Sequence, residues 1–237
     1  MSETEKVPIS APKGDFSALK HTKSGRVDKI IDGLTVLLKD GTIVRLASLD
    51  IPDFHVWESA YYSQDALALL EKLLPEQTEV MMYQTRMAKK GRITRMKHDL
   101  AHLVIKPSKN QKGTEDEDEQ WVNGALLANG LARVYTAPNA PEMVDQMYKI
   151  EQEARAKKIG LWEEGGRYVI LTPDNLEEDM GALVLVEGTV QKTASVKNNV
   201  YLNFGQNWKT DFTIMVTPAL RKKFAHEGVD ILGLAGQ

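Results

Sequence analysis

The spacing of apolar positions changes period several times along the chain. From Gly25, Arg26-Val27-Asp28-Lys29-Ile30-Ile31, Thr35-Val36-Leu37-Leu38-Lys39 and Thr42-Ile43-Val44-Arg45-Leu46 have the alternation and β-branched content of strands. Asp32-Gly33 and Asp40-Gly41 separate them, and the second dipeptide is a two-residue hairpin signal, so the pattern predicts a three-stranded meander. Beyond Pro52 the period lengthens. Ala60, Ala66, Leu67, Leu70, Leu73 and Leu74 fall largely on one helical face until Pro75 ends the run. Residues 78–83 and 100–105 predict another strand pair. A short helix over 121–129 closed by Gly130, a strand over 131–135 and a helix over 141–158 closed by Gly160 follow.

Residues 1–24, with Pro8, Pro12 and Gly14, read as a flexible lead-in, and the first domain spans 25–162. Residues 163–181 carry two adjacent glycines, a proline and Glu177-Glu178-Asp179, and read as a linker. A β-rich extension fills 182–237, with strands expected over 183–191, 200–204 and 212–216 and a helix over 218–226. Three strands and a helix leave an open sheet edge, so the extension reads as incomplete, the natural chain continuing for one or two strands.

Composition narrows the chemistry. The chain has 237 residues and is 42% hydrophobic, enough to bury the core of one or two domains. It has no cysteine, so a metal would need Asp, Glu, His or backbone oxygen. A net charge of −3 excludes a uniformly basic coat but leaves room for a local basic face. The bridge between the second strand pair supplies one: Arg86, Lys89, Lys90, Arg92, Arg95 and Lys97 occur there without an acidic residue. The loop that follows the pair ends in Glu115-Asp116-Glu117-Asp118-Glu119 and reads as a solvated insertion. No stretch approaches the roughly 20 apolar residues that span a bilayer, and Met1–Lys23 is too polar for a secretory signal. The chain therefore reads as soluble, with no signal peptide of its own.

Five segments occur in an order that resembles the staphylococcal nuclease (thermonuclease-like) family: Ile31-Asp32-Gly33-Leu34-Thr35-Val36, Val44 to Asp53, Leu100-Ala101-His102-Leu103, Val122 to Val134, and Glu153 to Trp162. The tail, with Leu185-Val186-Glu187-Gly188, Tyr201 to Gly205 and Trp208 to Thr213, resembles an extension found on some bacterial members. The resemblance implies an α+β fold, an OB-type five-stranded β-barrel with packed helices, followed by a smaller β-rich domain. It also implies hydrolysis of DNA and RNA with calcium: carboxylates hold the cation, a glutamate orients water, and two arginines bind the developing phosphate charge.

Carried over residue by residue, the resemblance puts Arg45 at the first catalytic arginine and Asp50 at a calcium-binding aspartate. Ile51 replaces a threonine that binds through its carbonyl. Asp53 stands at the general-base glutamate, one methylene shorter. Leu34 replaces the second ligand aspartate, which makes calcium doubtful unless Asp32 or another carboxylate substitutes for it. His98 falls at the second arginine, where neutral imidazole lacks the charged fork; Arg92, within Lys90-Gly91-Arg92, is the reserve for that position. Lys89, Lys90, Arg92, Arg95 and Lys97 are the candidate nucleic-acid contacts, with Tyr135 near the family's stacking tyrosines.

The favoured reading is a divergent nuclease-family protein that binds DNA or RNA with weak, altered or absent calcium-dependent phosphodiesterase activity. A competent metal-dependent endonuclease and a non-catalytic scaffold for a protein partner stay open beside it. The aromatic series Tyr201, Phe204, Trp208 and Phe212 reads either as a base-stacking platform or as the core of the extension. Exported family members imply a periplasmic or extracellular setting as one option; the residues do not fix the compartment.

Overall fold

A computed structural model describes residues 10–52, 61–87, 89–106, 119–135, 141–164, 170–176, 184–207 and 209–237. The chain divides into two compact units, Met1–Tyr168 and Val169–Gln237. In the first, β1 (Lys20–Asp32), β2 (Thr35–Leu38) and β3 (Ile43–Leu46) form the meander. They are followed by β4 (Leu49–Asp50), α1 (Tyr61–Leu73), β5 (Glu79–Gln84), β6 (Asp99–Ile105), β7 (Gln120–Trp121), α2 (Val122–Ala128), β8 (Arg133–Val134) and α3 (Val144–Ala156).

Five of these strands close a mixed barrel. The first half of β1 pairs antiparallel with β5 and its second half with β2, with register shifts between His21 and Lys23, Val27 and Lys29, and Ile30 and Asp32. Such irregularities bend a strand, which lets one long strand serve two walls. β2 pairs with β3, β3 runs parallel to β6, and β6 pairs with β5, completing the circuit. Val27, Val36, Leu38, Val44, Leu46, Val80, Met82, Ala101 and Leu103 are buried in this unit. Each large aliphatic among them contributes about 1.5–3 kcal/mol over an exposed counterpart.

Asp40-Gly41 does turn the chain from β2 to β3, but within a connection over 39–42 and not as the expected two-residue turn: the Gly41 N–H donates to the Leu38 carbonyl at 2.9 Å, Gly41 has φ 83°, and the Thr42 N–H donates to Asp40 Oδ1 at 3.0 Å. The lead-in is more ordered than its composition implies. Residues 10–19 lie against the barrel and helices, with Phe16 stacked on Tyr83 at 4.7 Å and edge-on to Trp121 at 5.6 Å. Gln146 and the Asp15 backbone exchange two hydrogen bonds of 2.9 Å, and the Trp121 N–H donates to the Pro12 carbonyl at 3.0 Å. β1 itself begins at Lys20, before the expected domain start at residue 25.

Two glycines lock the ends of α2 and α3 together. Gly130 has φ 64° and Gly160 φ 59°; a Cβ on Gly130 would lie 2.2 Å from the Ile159 carbonyl oxygen, and one on Gly160 would lie 2.3 Å from the Gly130 oxygen. The Leu161 N–H donates to that Gly130 oxygen at 2.7 Å. No side chain beyond hydrogen fits at either position.

The second unit contains β9 (Lys192–Val196), β10 (Asn199–Asn203), β11 (Thr213–Val216) and α4 (Pro218–His226). Its antiparallel sheet has the order β11-β10-β9 over a small core of Val190, Val200, Leu202, Val216 and Ile231. The first strand lies later than the expected 183–191. Val190 instead exchanges backbone hydrogen bonds with Gly236 and Gln237 at 2.8 and 2.9 Å. Lys197 and Asn198, at φ 48° and 68°, make the two-residue turn from β9 to β10 without a glycine. Among the described residues, no helix is long and apolar enough to cross a membrane.

Candidate functional site

The outward face of β2, β3 and β6 carries the candidate site. On β3, Val44 and Leu46 turn into the barrel, so alternation turns Arg45 outward. Arg45 Nη1 donates to Thr35 Oγ1 at 3.1 Å and reaches Asp32 Oδ1 at 3.4 Å. Asp32 Oδ1 also accepts the Leu34 N–H at 2.8 Å, an Asx-type contact that shapes the β1–β2 turn. Burial draws the Arg45 guanidinium below its ordinary pKa, while the negative charges of Asp32 and Asp50 oppose that shift. Leu34 is 1% exposed and belongs to the core.

Asp50 is held by a residue that sequence reasoning did not single out. β4 and β8 pair antiparallel with Asp50 opposite Arg133. Both Nε and Nη2 of Arg133 lie 2.7 Å from Asp50 Oδ2, with the two side chains 7% and 21% exposed. Ser48, at φ 59°, turns the chain between β3 and β4 so that this pairing is reached, and its carbonyl accepts the Tyr135 N–H at 2.9 Å. Buried Glu151 on α3 accepts the Val134 N–H and pairs with Arg155 at 2.7 Å, bracing β8 from the other side. Asn123 at the start of α2 accepts the Leu103 N–H at 3.1 Å and donates to the Ala47 carbonyl at 3.0 Å. It thereby pins the corner before β4 to β6. Asn123 and Arg133 lie in the family-like run 122–134 and Arg155 in the run 153–162, but their spacing does not say which polar residue meets which, and Glu151 lies in neither run.

The basic bridge folds into two parts. Lys89–Gly91 is a 3-10 turn, with the Lys90 side chain outside the description. Arg92 to Thr94 then return to pair with the start of β6: the Leu100 N–H donates to the Arg92 carbonyl at 2.7 Å, Ile93 bridges Asp99, and the Thr94 N–H donates to the His98 carbonyl at 2.8 Å. Gln84 Nε2 fastens this return with hydrogen bonds to the Arg92 and Leu100 carbonyls at 3.0 and 3.1 Å. Arg95 and Lys97 are exposed at the tip, and Lys97 has φ 64°.

This register brings residues 47 positions apart into one row. Arg45 is the β-partner of Leu100, and Arg92 stands opposite Leu100 on its other side. Directly opposed residues project to the same face, so Thr35, Arg45, Leu100 and Arg92 form a row on the side away from the barrel interior, with Thr35 buried and the other three half-buried. Arg45 and Arg92 are two strand spacings apart, about 10 Å. The Arg92 Nε is buried without a hydrogen-bond partner. His98, two residues before Leu100, shares the face by alternation and is half-buried, with its N–H bonded to Thr94 Oγ1 at 3.1 Å. Tyr135 is 52% exposed just after β8. Asp53 lies outside the described residues, as does the acidic run apart from exposed Glu119. Among the described residues, no group of three or more His, Asp or Glu could hold a metal ion.

Comparison with known proteins agrees with the barrel. An uncharacterized protein of Methanocaldococcus jannaschii is 27% identical over 159 residues, covering 58% of this chain and 70% of its own length. The family described as staphylococcal nuclease homologue matches residues 43–164, a stretch that runs from β3 past the Gly130–Gly160 lock; the chain belongs to that family.

Proposed function

We propose that this protein binds single-stranded DNA or RNA through the outward guanidinium row of its barrel, with calcium-dependent phosphodiester hydrolysis weak or absent. The observation that carries this reading is the commitment of both site carboxylates to arginine: Asp32 to Arg45 and Asp50 to Arg133. Two carboxylates and two guanidiniums balance in charge without a divalent ion. Leu34 in the core supplies no ligand where the family has an aspartate, which supports a weakened calcium site.

The same face supports phosphate recognition, in which a phosphate oxygen would compete with Asp32 for Arg45 at their long 3.4 Å contact. Guanidinium groups bind phosphate oxygens as a planar fork, and Arg45 and Arg92 offer two of them on one face. Exposed Lys89, Arg95 and Lys97 extend the positive surface next to Arg92, and the exposed ring of Tyr135 adds a stacking surface. Backbone contacts of this kind carry little sequence information, which supports a sequence-tolerant binder.

The test combines binding and cutting. Purified protein is titrated with labelled single-stranded DNA and RNA across salt, and cleavage is followed with calcium, magnesium, manganese or chelator. Expected are affinities that fall steeply with salt, at about 0.7 logarithmic units per neutralised phosphate, weaker binding for Arg45→Ala and Arg92→Ala, and little or no cutting. Metal-dependent cutting abolished by Arg45→Ala would replace this reading with a competent nuclease. Salt-insensitive or absent binding would move it to a protein scaffold.

A further inference from the structure

Of the aromatic series of the extension, Trp208 lies outside the described residues, and Tyr201, Phe204 and Phe212 divide between two sides of the second sheet. Phe204 packs against the small core and lies 5.2 Å from Phe212, while Val200, Leu202 and Val216 cover the same side. Tyr201 is on the opposite face. The strand register sets two rows there: Ala194, Tyr201 and Met215 in one, Lys192, Asn203 and Thr213 in the other. Together with Val196, Gly205 and Gln206 they line a groove of about 660 Å³.

The two rows have different chemistry. Tyr201 stands at mid-strand between a methyl group and a thioether, so its ring has a flat, yielding surround; Met215 is 52% exposed. About 7 Å along the strands, Lys192 places a cation beside Asn203. Asn203 itself is buried, its Oδ1 accepting from Thr213 Oγ1 at 3.1 Å. None of the groove-lining residues is acidic. Exposed Lys197, in the β9–β10 turn, and Lys209, in the β10–β11 loop, add positive charge at the sheet's ends. Asp211 lies against Gly205 at one end of the groove; along the rest, a half-buried ring for a base and an exposed cation for a phosphate complement a single nucleic-acid strand.

We propose that this open face is a second contact for single-stranded nucleic acid, with Tyr201 stacking a base and Lys192 meeting the backbone. The proposal rests on the nucleic-acid reading of the barrel for the choice of a polyanion over an apolar protein partner. It adds a contact governed by stacking to one governed by charge.

The experiment uses the full chain and a labelled oligothymidine, with a duplex of equal length as reference. Tyr201→Ala is expected to weaken single-strand binding roughly 5- to 100-fold and to leave duplex binding unchanged, while Tyr201→Phe keeps near-native affinity. Lys192→Glu is expected to weaken binding and lower the salt slope. Photocrosslinking of wild type with a 4-thiouridine strand should label the segment around Tyr201, an arm that needs no variant to fold. If Arg45→Ala weakens binding but a folded Tyr201→Ala does not, or if crosslinks map to the barrel alone, this inference fails while the barrel reading stands. If wild type binds no strand at all, both fail.

Discussion

The barrel and the second sheet use strand alternation to opposite ends. In the barrel, closure leaves β6 with both faces covered across Ala101 to Val104, and even His102 is buried against Trp121 at 5.6 Å. The less exposed charged groups beside it include two arginine–aspartate pairs, Arg45 with Asp32 and Arg133 with Asp50. The second sheet covers one face and leaves a groove on the other, where Tyr201 is half-buried and Met215 is 52% exposed. A closed barrel can hold a precise, preorganised charge array because its backbone is over-determined. An open sheet offers a shallower surface whose strength lies in ring contact.

The largest test of that difference is Gly130→Ala. The new methyl would require a left-handed φ and a 2.2 Å approach to the Ile159 oxygen, so the α2–α3 corner must move. We expect a loss of about 4 kcal/mol or more, at the severe end for single substitutions. Amides of β6 and α2 should then exchange with solvent far faster, while those of β10 stay near their wild-type rates. Equal loosening of both units would show that the two do not hold their structure separately.

Next in size is Arg133→Met. Asp50 would keep its largely buried position and lose both guanidinium hydrogen bonds, a cost of about 3 kcal/mol. Chemical denaturation followed by the barrel tryptophans measures it. A loss below about 1 kcal/mol would mean that the ion pair is replaceable by water, and that the site is less preorganised than its geometry indicates.

A third difference is pH. Burial pushes the His102 pKa down to about 3, against an ordinary value near 6.5. Between those values the unfolded chain binds a proton that the folded protein refuses, so stability falls as pH drops below 6.5. The slope approaches about 1.4 kcal/mol per pH unit, or about 2 kcal/mol lost by pH 5. His102→Leu should flatten this slope. In the second unit, the described residues fully bury no ionisable side chain, and hydrogen exchange there should not follow the same pH dependence.

Much of the fold was legible because local rules and tertiary packing agree. The meander, the Asp40-Gly41 turn and the helices ending near Gly130 and Gly160 each have a turn residue or an apolar period that the structure satisfies. Elements set by distant partners were not legible. Residues 10–19 read as a loose lead-in, yet they are held by Gln146 and Trp121, more than 100 positions away. The β9–β10 turn at Lys197-Asn198 has left-handed residues without the glycine that would announce it, so the strand was expected too early. The site divides the same way. Arg45 and Asp50 were named as candidates from the resemblance, but what they meet comes from register, through Asp50 opposite Arg133 and Arg45 and Arg92 on either side of Leu100. Spacing along one segment does not encode a pairing across 83 residues.

The smallest expected effect separates the two interfaces by salt. Arg45→Ala removes a guanidinium from the barrel face, so it should lower the salt slope of single-strand binding by about 0.7 unit. Tyr201→Ala removes a ring that neutralises no phosphate, so its affinity loss should be the same at low and high salt. At high salt the charge contribution shrinks, and the Tyr201 effect then becomes the larger share of the remaining affinity. Parallel salt titrations of wild type, Arg45→Ala and Tyr201→Ala give three lines. A Tyr201→Ala line parallel to wild type and a shallower Arg45→Ala line would support one charged and one stacking contact. Equal slope changes in both variants would mean that the tyrosine acts by placing nearby lysines, and the contrast between a charge array and a ring surface would collapse into a single electrostatic face.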